Sequence, residues 1–241
     1  MNGNMKTITL PRLLQPYYCS DLVRVGKNND GGYLLNKNDI LKSECLLSFG
    51  INDDWSFEDQ FLKIKDCPLF GYDNSVNDVM LKDKGLYESH KEFFTGTKQH
   101  ITKNIGKNNT SDEITFESVL ENKGKNIFLK CDIEGSEYKI LDNILTHTKL
   151  FSGIVIEFHD IQDNFNLNEM ANFISKLDQK LVHVHINNYS YIQIDENQYI
   201  PSVVELSFTS SDNIKLKKHI NFPNSLDMPN CPEREDFTII F

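Results

Sequence analysis

The fold is limited most strongly by a series of short, continuous apolar segments separated by stretches with helical spacing. Each segment has five or six residues, which is too few for a buried helix and typical of a strand covered on both faces. The segments are residues 45–49, 68–72, 126–131 and 153–158. Strands that alternate with helices predict an α/β fold, a doubly wound and mainly parallel sheet with helices on both faces.

Three of the intervening stretches carry apolar residues at helical spacing. The clearest is 56–65, where Phe57, Phe61 and Ile64 share one side of the predicted helix. The other two are 136–145 and 167–177. The stretch 93–101 has a weaker pattern, and we expect it to supply a further strand.

The beginning of the chain predicts a β-hairpin. Residues 22–25 and 33–35 are apolar, and they flank a polar stretch that ends in Asp30-Gly31-Gly32. Glycine supplies the positive φ that a tight hairpin turn needs. Since no linker rich in Pro, Gly or Ser follows, we expect one compact unit, in which 1–40 form an appendage on a domain of residues 41–241.

The last third of the chain predicts an antiparallel end to the sheet. Residues 181–186 and 203–208 alternate between apolar and polar side chains, and no helical stretch separates them. Residues 236–241 form another candidate strand.

Charge and cysteine content exclude several classes of protein. The chain has 25 Lys and Arg against 35 Asp and Glu, a net charge of −10, which disfavours a nucleic-acid partner. No apolar run reaches the roughly 18 residues of a membrane helix, and the first residues lack a signal-peptide pattern, so a cytoplasmic location is expected. Five scattered cysteines without a C-x-x-C pair indicate neither a disulfide framework nor a zinc ribbon.

The first two strand ends indicate a nucleotide-type ligand, because ligands of such sheets bind at the carboxyl ends of the strands. Gly50 follows the first strand directly, which lets a ligand approach the backbone, and Ser56 is expected to cap the next helix. The triple-glycine dinucleotide fingerprint is absent. Asp73 closes the second strand, where a carboxylate can accept two hydrogen bonds from a ribose diol. The structural alternative for Asp73 is an N-cap of the following helix.

The next two strand ends are acidic. Asp132 and Glu134 alternate with Ile133 and therefore share one face in an extended chain. Glu157 and His159 are also two residues apart and are expected to point the same way. With Asp132, these two side chains form a candidate divalent metal site, or they leave His159 as a general base. The alternative is a buried salt bridge.

The candidate strand 181–186 contains His183 and His185 at strand spacing, and Asn187 follows it. Two such histidines can bind a metal. We favour instead a half-exposed sheet face, or a position in the lining of a substrate pocket.

Residues 129–137, Leu-Lys-Cys-Asp-Ile-Glu-Gly-Ser-Glu, resemble the Lys-x-Asp-(Ile/Val)-Glu-Gly-x-Glu signature of the FkbM-type S-adenosylmethionine-dependent methyltransferases. Weaker similarities follow in the expected order and extend the resemblance over residues 28–210. They lie at 30–33, 47–51, 56–58, 71–73, 154–159, 183–188 and 201–206.

The resemblance implies a Rossmann-like class I methyltransferase sheet of about seven strands, the last of them antiparallel. It places S-adenosylmethionine over Phe49, Gly50 and Ile51, with Asp73 on the ribose. Further residues implied at the cofactor are Ser56 and Asp132, and those implied at the acceptor are Glu134, His183, His185 and Asn187. The chain departs from the family at Ser48, where an acidic residue is usual, and in having a single glycine in this loop.

The implied reaction is O-methylation of a sugar or a nucleotide-linked sugar. Asp132 and His159 are the expected catalytic residues, and Mg²⁺ or Mn²⁺ on Asp132, Glu157 and His159 is the alternative to His159 as base. Candidate cations for a nucleotide's phosphates are Arg24, Lys98 and Lys103. Both a monomer and a homo-oligomer are compatible with the sequence.

Two other functions compete with this one. A non-catalytic protein with the same fold would bind a nucleoside or sugar without turnover. An NAD-linked dehydrogenase is disfavoured, because the chain lacks both the triple-glycine loop and a Tyr-x-x-x-Lys pair.

Overall fold

The computed structural model describes residues 6–194, 198–212, 214 and 222–241. Its centre is a seven-stranded sheet. We number the strands in chain order as β1 (Cys45–Phe49), β2 (Leu69–Tyr72), β3 (Lys98–Ile101), β4 (Ile127–Cys131), β5 (Phe151–Phe158), β6 (Lys180–Ile186) and β7 (Val204–Thr209). Their order across the sheet is β6-β7-β5-β4-β1-β2-β3.

The sheet confirms the predicted α/β, Rossmann-like architecture. β1 to β5 pair in parallel, whereas β7 runs antiparallel to both β5 and β6. Every residue of β1, β4, β5 and β7 is buried, as expected for strands covered on both faces. β3 lies at one edge and is only partly buried, which explains its weak apolar pattern.

Helices connect the parallel strands. The α-helices are Lys37–Lys42, Ser56–Ile64, Asp78–Asp83, Tyr87–Phe93, Phe116–Leu120, Leu141–Thr146 and Asn164–Lys176, and the 3₁₀ turns are Arg12–Leu14, Glu137–Lys139 and Thr148–Leu150. The helix predicted over 136–145 is therefore divided into a 3₁₀ turn and a short α-helix. No helix in these ranges is long and apolar enough to span a bilayer.

The predicted hairpin is present as Leu22–Val25 paired with Tyr33–Asn36. Its second strand contacts β5, β6 and β7. The hairpin therefore lies against the end of the sheet that carries Asp132 and Glu157. The predicted last strand is Thr238–Ile240, but it pairs in parallel with Thr7–Thr9 and does not join the main sheet. Two further small ladders are Asn104–Gly106 with Glu113–Thr115 and Tyr191–Gln193 with Tyr199–Pro201.

Asp39 is a buried carboxyl that makes stability depend on pH. Its residue is 1% exposed, and burial raises its pKa to about 6. Between pH 4 and 6 the folded chain therefore holds more protons at Asp39 than the unfolded chain does, so stability falls as the pH rises. We expect Asp39→Asn to gain stability relative to the wild type from pH 4.5 to 7.5, by about 2 kcal/mol. Thermal unfolding at both pH values measures this difference.

The control for this prediction is Asp178→Asn, which changes an exposed carboxylate in a turn. It should leave the pH dependence of unfolding unchanged. An equal effect of Asp39→Asn at both pH values would contradict the prediction.

Candidate functional site

The loop after β1 passes directly against the end of β4. Asp132 donates its backbone N–H to the carbonyl oxygen of Phe49 at 3.0 Å. Gly50 has φ +80°, and a Cβ atom there would lie 1.6 Å from the carbonyl oxygen of Asp132. Only glycine fits this position. The side chains of Phe49 and Ile51 are buried, so this loop offers a ligand its backbone.

Asp73 is the organising carboxylate of the same loop. One oxygen accepts the N–H groups of Ile51 and Asn52 at 2.9 and 2.8 Å. The other accepts the N–H and the hydroxyl of Ser75 at 2.8 and 2.6 Å. Burial raises the pKa of Asp73, but these four bonds outweigh it and the pKa is lowered. A ribose diol at Asp73 therefore has to replace one of these four donors.

Neither Ser56 nor Asp73 caps a helix, so the cap expected of Ser56 and the structural alternative for Asp73 are both wrong. Asn77, and not Asp73, caps the helix Asp78–Asp83, since its side chain accepts the first free N–H groups. The helix Ser56–Ile64 begins with Ser56 itself, whose N–H and hydroxyl both donate to the carboxylate of Asp54. Ser56 is thus fixed by Asp54 at the edge of the loop after β1.

Ser48 stands where the family usually has an acidic residue, and it contacts a carboxylate of the next helix. The hydroxyl of Ser48 donates to Glu58, which is fully buried. Burial raises the pKa of Glu58, and the nearby ammonium of Lys130 opposes that shift. An acidic group therefore lies beside position 48 although the residue there is neutral.

Lys130 links the loop after β1 to Asp132. Its buried ammonium donates to the carbonyl oxygen of Gly50 and lies 3.6 Å from Oδ2 of Asp132. Burial lowers the pKa of Lys130, but Asp132, Glu58 and Glu157 outweigh it and the pKa is raised. Lys130 therefore remains a cation and holds the Asp132 carboxylate next to Gly50.

Tyr33 of the hairpin also contacts the carboxylate of Asp132. The family similarity at 30–33 includes this residue, but the sequence assigned it no role in the site. Its hydroxyl lies 3.1 Å from Oδ2 of Asp132 and 2.8 Å from Oε2 of Glu157. The other oxygen of Glu157 accepts the amide of Asn187 at 2.9 Å. Burial, Asp132 and Glu205 raise the pKa of Glu157 well above its usual value. A buried carboxyl held in this way is a poor metal ligand.

Glu134, rather than Glu157, comes together with Asp132 and His159. One ligand atom from each of these three residues lies within 4.8 Å of the other two. Nε2 of His159 is 3.5 Å from Oε2 of Glu134 and 3.9 Å from Oδ1 of Asp132. Glu134 has φ +53° and Gly135 has φ +90°, so the chain leaves the extended conformation here and turns the Glu134 carboxylate towards His159.

Glu137 orients the ring of His159 through a contact with its Nδ1 atom. It is fully buried, its Oε1 accepts the N–H groups of Ile133 and Gly135, and the same oxygen lies 3.0 Å from Nδ1 of His159. Burial lowers the pKa of His159, but the hydrogen bond and charge of Glu137 outweigh it and raise the pKa to about 9. The ring is therefore cationic at neutral pH.

The half-exposed face expected at His183 and His185 is wrong. Both side chains are buried, because residues 222–241 cover this part of the sheet. Nε2 of His183 lies 3.0 Å from Asp227. The two ring nitrogens of His185 lie 3.1 Å from Glu205 and 2.9 Å from Asp236. The contacts with Asp227 and Asp236 attach the C-terminal segment to the sheet, and both ring nitrogens of His185 are occupied.

Asp30 is a further acidic residue at this end of the sheet. Its Oδ1 accepts the amide of Asn187 at 3.3 Å and the amide of Asn230 at 3.0 Å. Asn230 also donates to Glu205 at 2.7 Å. Hairpin, sheet and C-terminal segment thus meet around one network of carboxylates and amides.

The sequence profile of the methyltransferase FkbM domain matches residues 19–191, nearly three quarters of the chain. The chain belongs to the FkbM methyltransferase family. The carboxylates after β4, the single glycine after β1 and the hairpin tyrosine all lie within the part of this FkbM domain that the profile matches. No protein of curated function matches the sequence.

Several solved structures resemble this FkbM methyltransferase. A methyltransferase FkbM from Methylobacillus flagellatus KT is 14% identical with a TM-score of 0.42, over 68% of this chain and 44% of the other. The Methanococcus jannaschii fibrillarin pre-rRNA processing protein is 11% identical with a TM-score of 0.41, over 82% and 84%. M. capricolum TrmK, solved with S-adenosylhomocysteine, is 15% identical with a TM-score of 0.37, over 76% and 70%.

Proposed function

We propose that this FkbM methyltransferase is an S-adenosylmethionine-dependent O-methyltransferase, that its acceptor is a sugar hydroxyl, and that Asp132, Glu134 and His159 hold a divalent cation. The convergence of these three side chains beside the Gly50 loop carries the proposal. Glu134 takes the place that the sequence analysis gave to Glu157.

The donor set fits Mg²⁺ or Mn²⁺. Carboxylate oxygens are the preferred ligands of these hard cations, and an imidazole is compatible with Mn²⁺. Glu137 accepts Nδ1–H of His159 and leaves Nε2 facing the two carboxylates, which is the usual support of a ligating histidine. His159 has to release the proton on Nε2 before it can ligate.

A bound divalent ion lowers the pKa of a coordinated hydroxyl and orients it. The cofactor supplies the methyl electrophile, so the chain has to align donor and acceptor and accept the hydroxyl proton. Asp132 is suited to this task, since Lys130 and Tyr33 fix one of its oxygens and the other faces His159. His159 cannot act as a base while it is protonated, that is, until the pH approaches 9. Both routes therefore require His159 to lose this proton, which a bound cation would displace in the metal route.

For the cofactor, we propose that the backbone at Gly50 and Ile51 receives S-adenosylmethionine and that Asp73 holds the ribose once Ser75 moves away. Ser75 is exposed, and its hydroxyl is the donor that a ribose can replace with least rearrangement. Phe49 and Ser56 support the loop from either side.

Metal removal tests the proposed reaction. After exhaustive dialysis against EDTA, we expect methyl transfer to a panel of sugars to fall by at least about 100-fold and to return with Mg²⁺ or Mn²⁺. Binding of S-adenosylhomocysteine, measured by calorimetry, should persist without metal. Full activity in EDTA, with an optimum near pH 9, would leave only the His159 route.

One observation favours the second candidate, a non-catalytic nucleoside- or sugar-binding protein, in its sugar-binding form. Asp73 already accepts four hydrogen bonds from the protein, so its carboxylate is occupied without a cofactor. Mass spectrometry of the sugar panel after incubation with S-adenosylmethionine separates the two candidates. Binding of a sugar without a mass gain of one methyl group would support the second.

A further inference from the structure

We propose that Asp30 and Tyr189 form a saccharide subsite beside the methyl-transfer position, and that this subsite takes an uncharged sugar residue of the acceptor. Asn187 and Asn230 are the positioning residues of the subsite. The inference rests on the proposed function, since it assigns the acceptor that the Asp132 site would methylate.

Asp30 presents a fixed hydrogen-bond acceptor to solvent. The residue is exposed, yet its Oδ1 is held by the amides of Asn187 and Asn230. Among the residues that the structure describes, none donates to Oδ2. An ionised carboxylate only accepts hydrogen bonds, so its natural partner is a ligand with hydroxyl donors.

The turn that carries Asp30 is closely packed. Gly26 has φ +101°, and a Cβ atom there would lie 2.2 Å from the carbonyl oxygen of Gly31. The N–H of Gly26 donates to Gln60 at 3.0 Å, and the N–H of Asp30 donates to the carbonyl oxygen of Asn230 at 3.3 Å. Asp30 is therefore held from both sides, which reduces the entropy that it loses on binding a ligand.

Tyr189 supplies an aromatic face next to Asp30. Its residue is 49% exposed, while its backbone is fixed: the N–H donates to Oδ1 of Asn187 at 3.0 Å, and the carbonyl oxygen accepts Nη1 of Arg234 at 2.6 Å. The side chain of Asn187 links the two residues, since its Nδ2 donates to Oδ1 of Asp30 and its Oδ1 accepts the N–H of Tyr189.

Asp30 also borders the proposed metal residues. The amide of Asn187 connects Asp30 to Glu157, whose other oxygen lies next to Tyr33. A sugar on Asp30 and Tyr189 therefore extends towards Asp132.

An aromatic face with one carboxylate beside it suits a pyranose. The C–H face of the sugar packs on the ring, while its hydroxyls donate to the carboxylate. The amide of Asn187 is already used, because Nδ2 donates to Asp30 and Glu157 and Oδ1 accepts from Tyr189. For this reason Asn187 positions the subsite and does not itself contact the sugar.

The charges at the subsite disfavour the phosphates of a nucleotide sugar. Arg24 donates to the backbone of its own hairpin turn, at Lys27 and Asn29. The ammonium of Lys98 lies 4.4 Å from the centre of the Phe93 ring, and Lys103 donates to the carbonyl oxygen of Thr110. None of these three cations contacts Asp30 or Tyr189. The cation that does contact Tyr189 is Arg234, whose Nη1 already donates to the carbonyl oxygens of Asn188 and Tyr189.

A diphosphate on the subsite would instead meet the negative charges of Asp30 and Glu134. An acceptor without phosphate avoids this repulsion, which is why the proposal specifies an uncharged sugar.

The test compares binding and turnover in four variants. Saturation-transfer NMR with neutral mono- and disaccharides, in the presence of Mg²⁺ and S-adenosylhomocysteine, should show binding to the wild type that is weakened about tenfold by Asp30→Asn and by Tyr189→Ala. Tyr189→Phe keeps the ring and should bind as the wild type does. Phe165→Ala removes a 68% exposed aromatic residue on the helix Asn164–Lys176 and is the matched control.

With a methylated saccharide in hand, Asp30→Asn and Tyr189→Ala should raise KM about tenfold and leave kcat and cofactor affinity within about threefold. No saccharide binding by the wild type, unchanged binding in both variants, or tighter binding of UDP-glucose than of the neutral sugars would overturn the subsite. Saccharide binding that depends on Asp30 and Tyr189 but yields no methyl transfer would retain the subsite and remove the proposed reaction.

Discussion

Asp132→Asn is expected to reduce kcat for methyl transfer about 1,000-fold, which is within the range for loss of a group that takes the reacting proton. The substitution keeps the shape of the side chain and removes its charge. Oδ2 would still meet the Tyr33 hydroxyl, but the atom facing His159 could no longer ligate a cation or accept a proton. Rapid-quench measurements of the single-turnover rate with saturating cofactor give the effect directly.

Two measurements keep this result separate from a loss of folding. Lys130 retains Glu58 and Glu157 as charge partners in the variant, so thermal unfolding should remain cooperative and the affinity for S-adenosylhomocysteine should change little. Asp178→Asn, at an exposed turn, should have full activity. If Asp132→Asn kept more than about a tenth of the wild-type rate, the carboxylate would have no part in the chemistry.

The strand ends were predictable because they depend on local pattern and on one topological rule. Continuous apolar runs marked the buried strands, and parallel strands bring their carboxyl ends to one edge of the sheet. The contact between Gly50 and Asp132 follows from this, since β1 and β4 are neighbours. The residue pattern did not predict the order of the strands across the sheet, β6-β7-β5-β4-β1-β2-β3.

The geometry just beyond the strands was less predictable. The spacing of Glu157 and His159 assumes an extended chain, but β5 ends at Phe158, before His159. Glu134 lies outside the extended region, with φ +53°. At such positions the turn, and not the two-residue repeat, decides which side chains meet, so Glu134 takes the place expected for Glu157.

The periodicity of the sequence could not predict the contacts that the hairpin and the C-terminal segment make at the site. Tyr33 meets Glu157 across 124 positions of the sequence, and Asp30 meets Asn230 across 200. Contacts of this range arise when the hairpin and the C-terminal segment pack on the same part of the sheet. The same packing buries His183 and His185, which a local alternation of apolar and polar residues cannot show.

Gly50→Ala is expected to weaken S-adenosylmethionine binding by at least about 100-fold and to lower the free energy of unfolding by about 1–3 kcal/mol beyond the cost of a left-handed alanine. The new Cβ would lie 1.6 Å from the carbonyl oxygen of Asp132, which is backbone and cannot rotate away. Either the loop or the end of β4 has to move, and the hydrogen bond from Asp132 to Phe49 is then lost or lengthened. Calorimetric titration and urea unfolding measure the two effects.

Gly85→Ala separates the two causes of this loss. Gly85 has φ +70°, but no atom lies within 4 Å of a Cβ placed there, so its substitution carries only the conformational cost of about 1–2 kcal/mol. The difference between the two variants in unfolding free energy is therefore the effect of the collision with Asp132. Gly85→Ala should bind the cofactor normally, because Gly85 lies outside the loop that follows β1. Equal cofactor affinity in the two variants would show that S-adenosylmethionine does not bind against this loop.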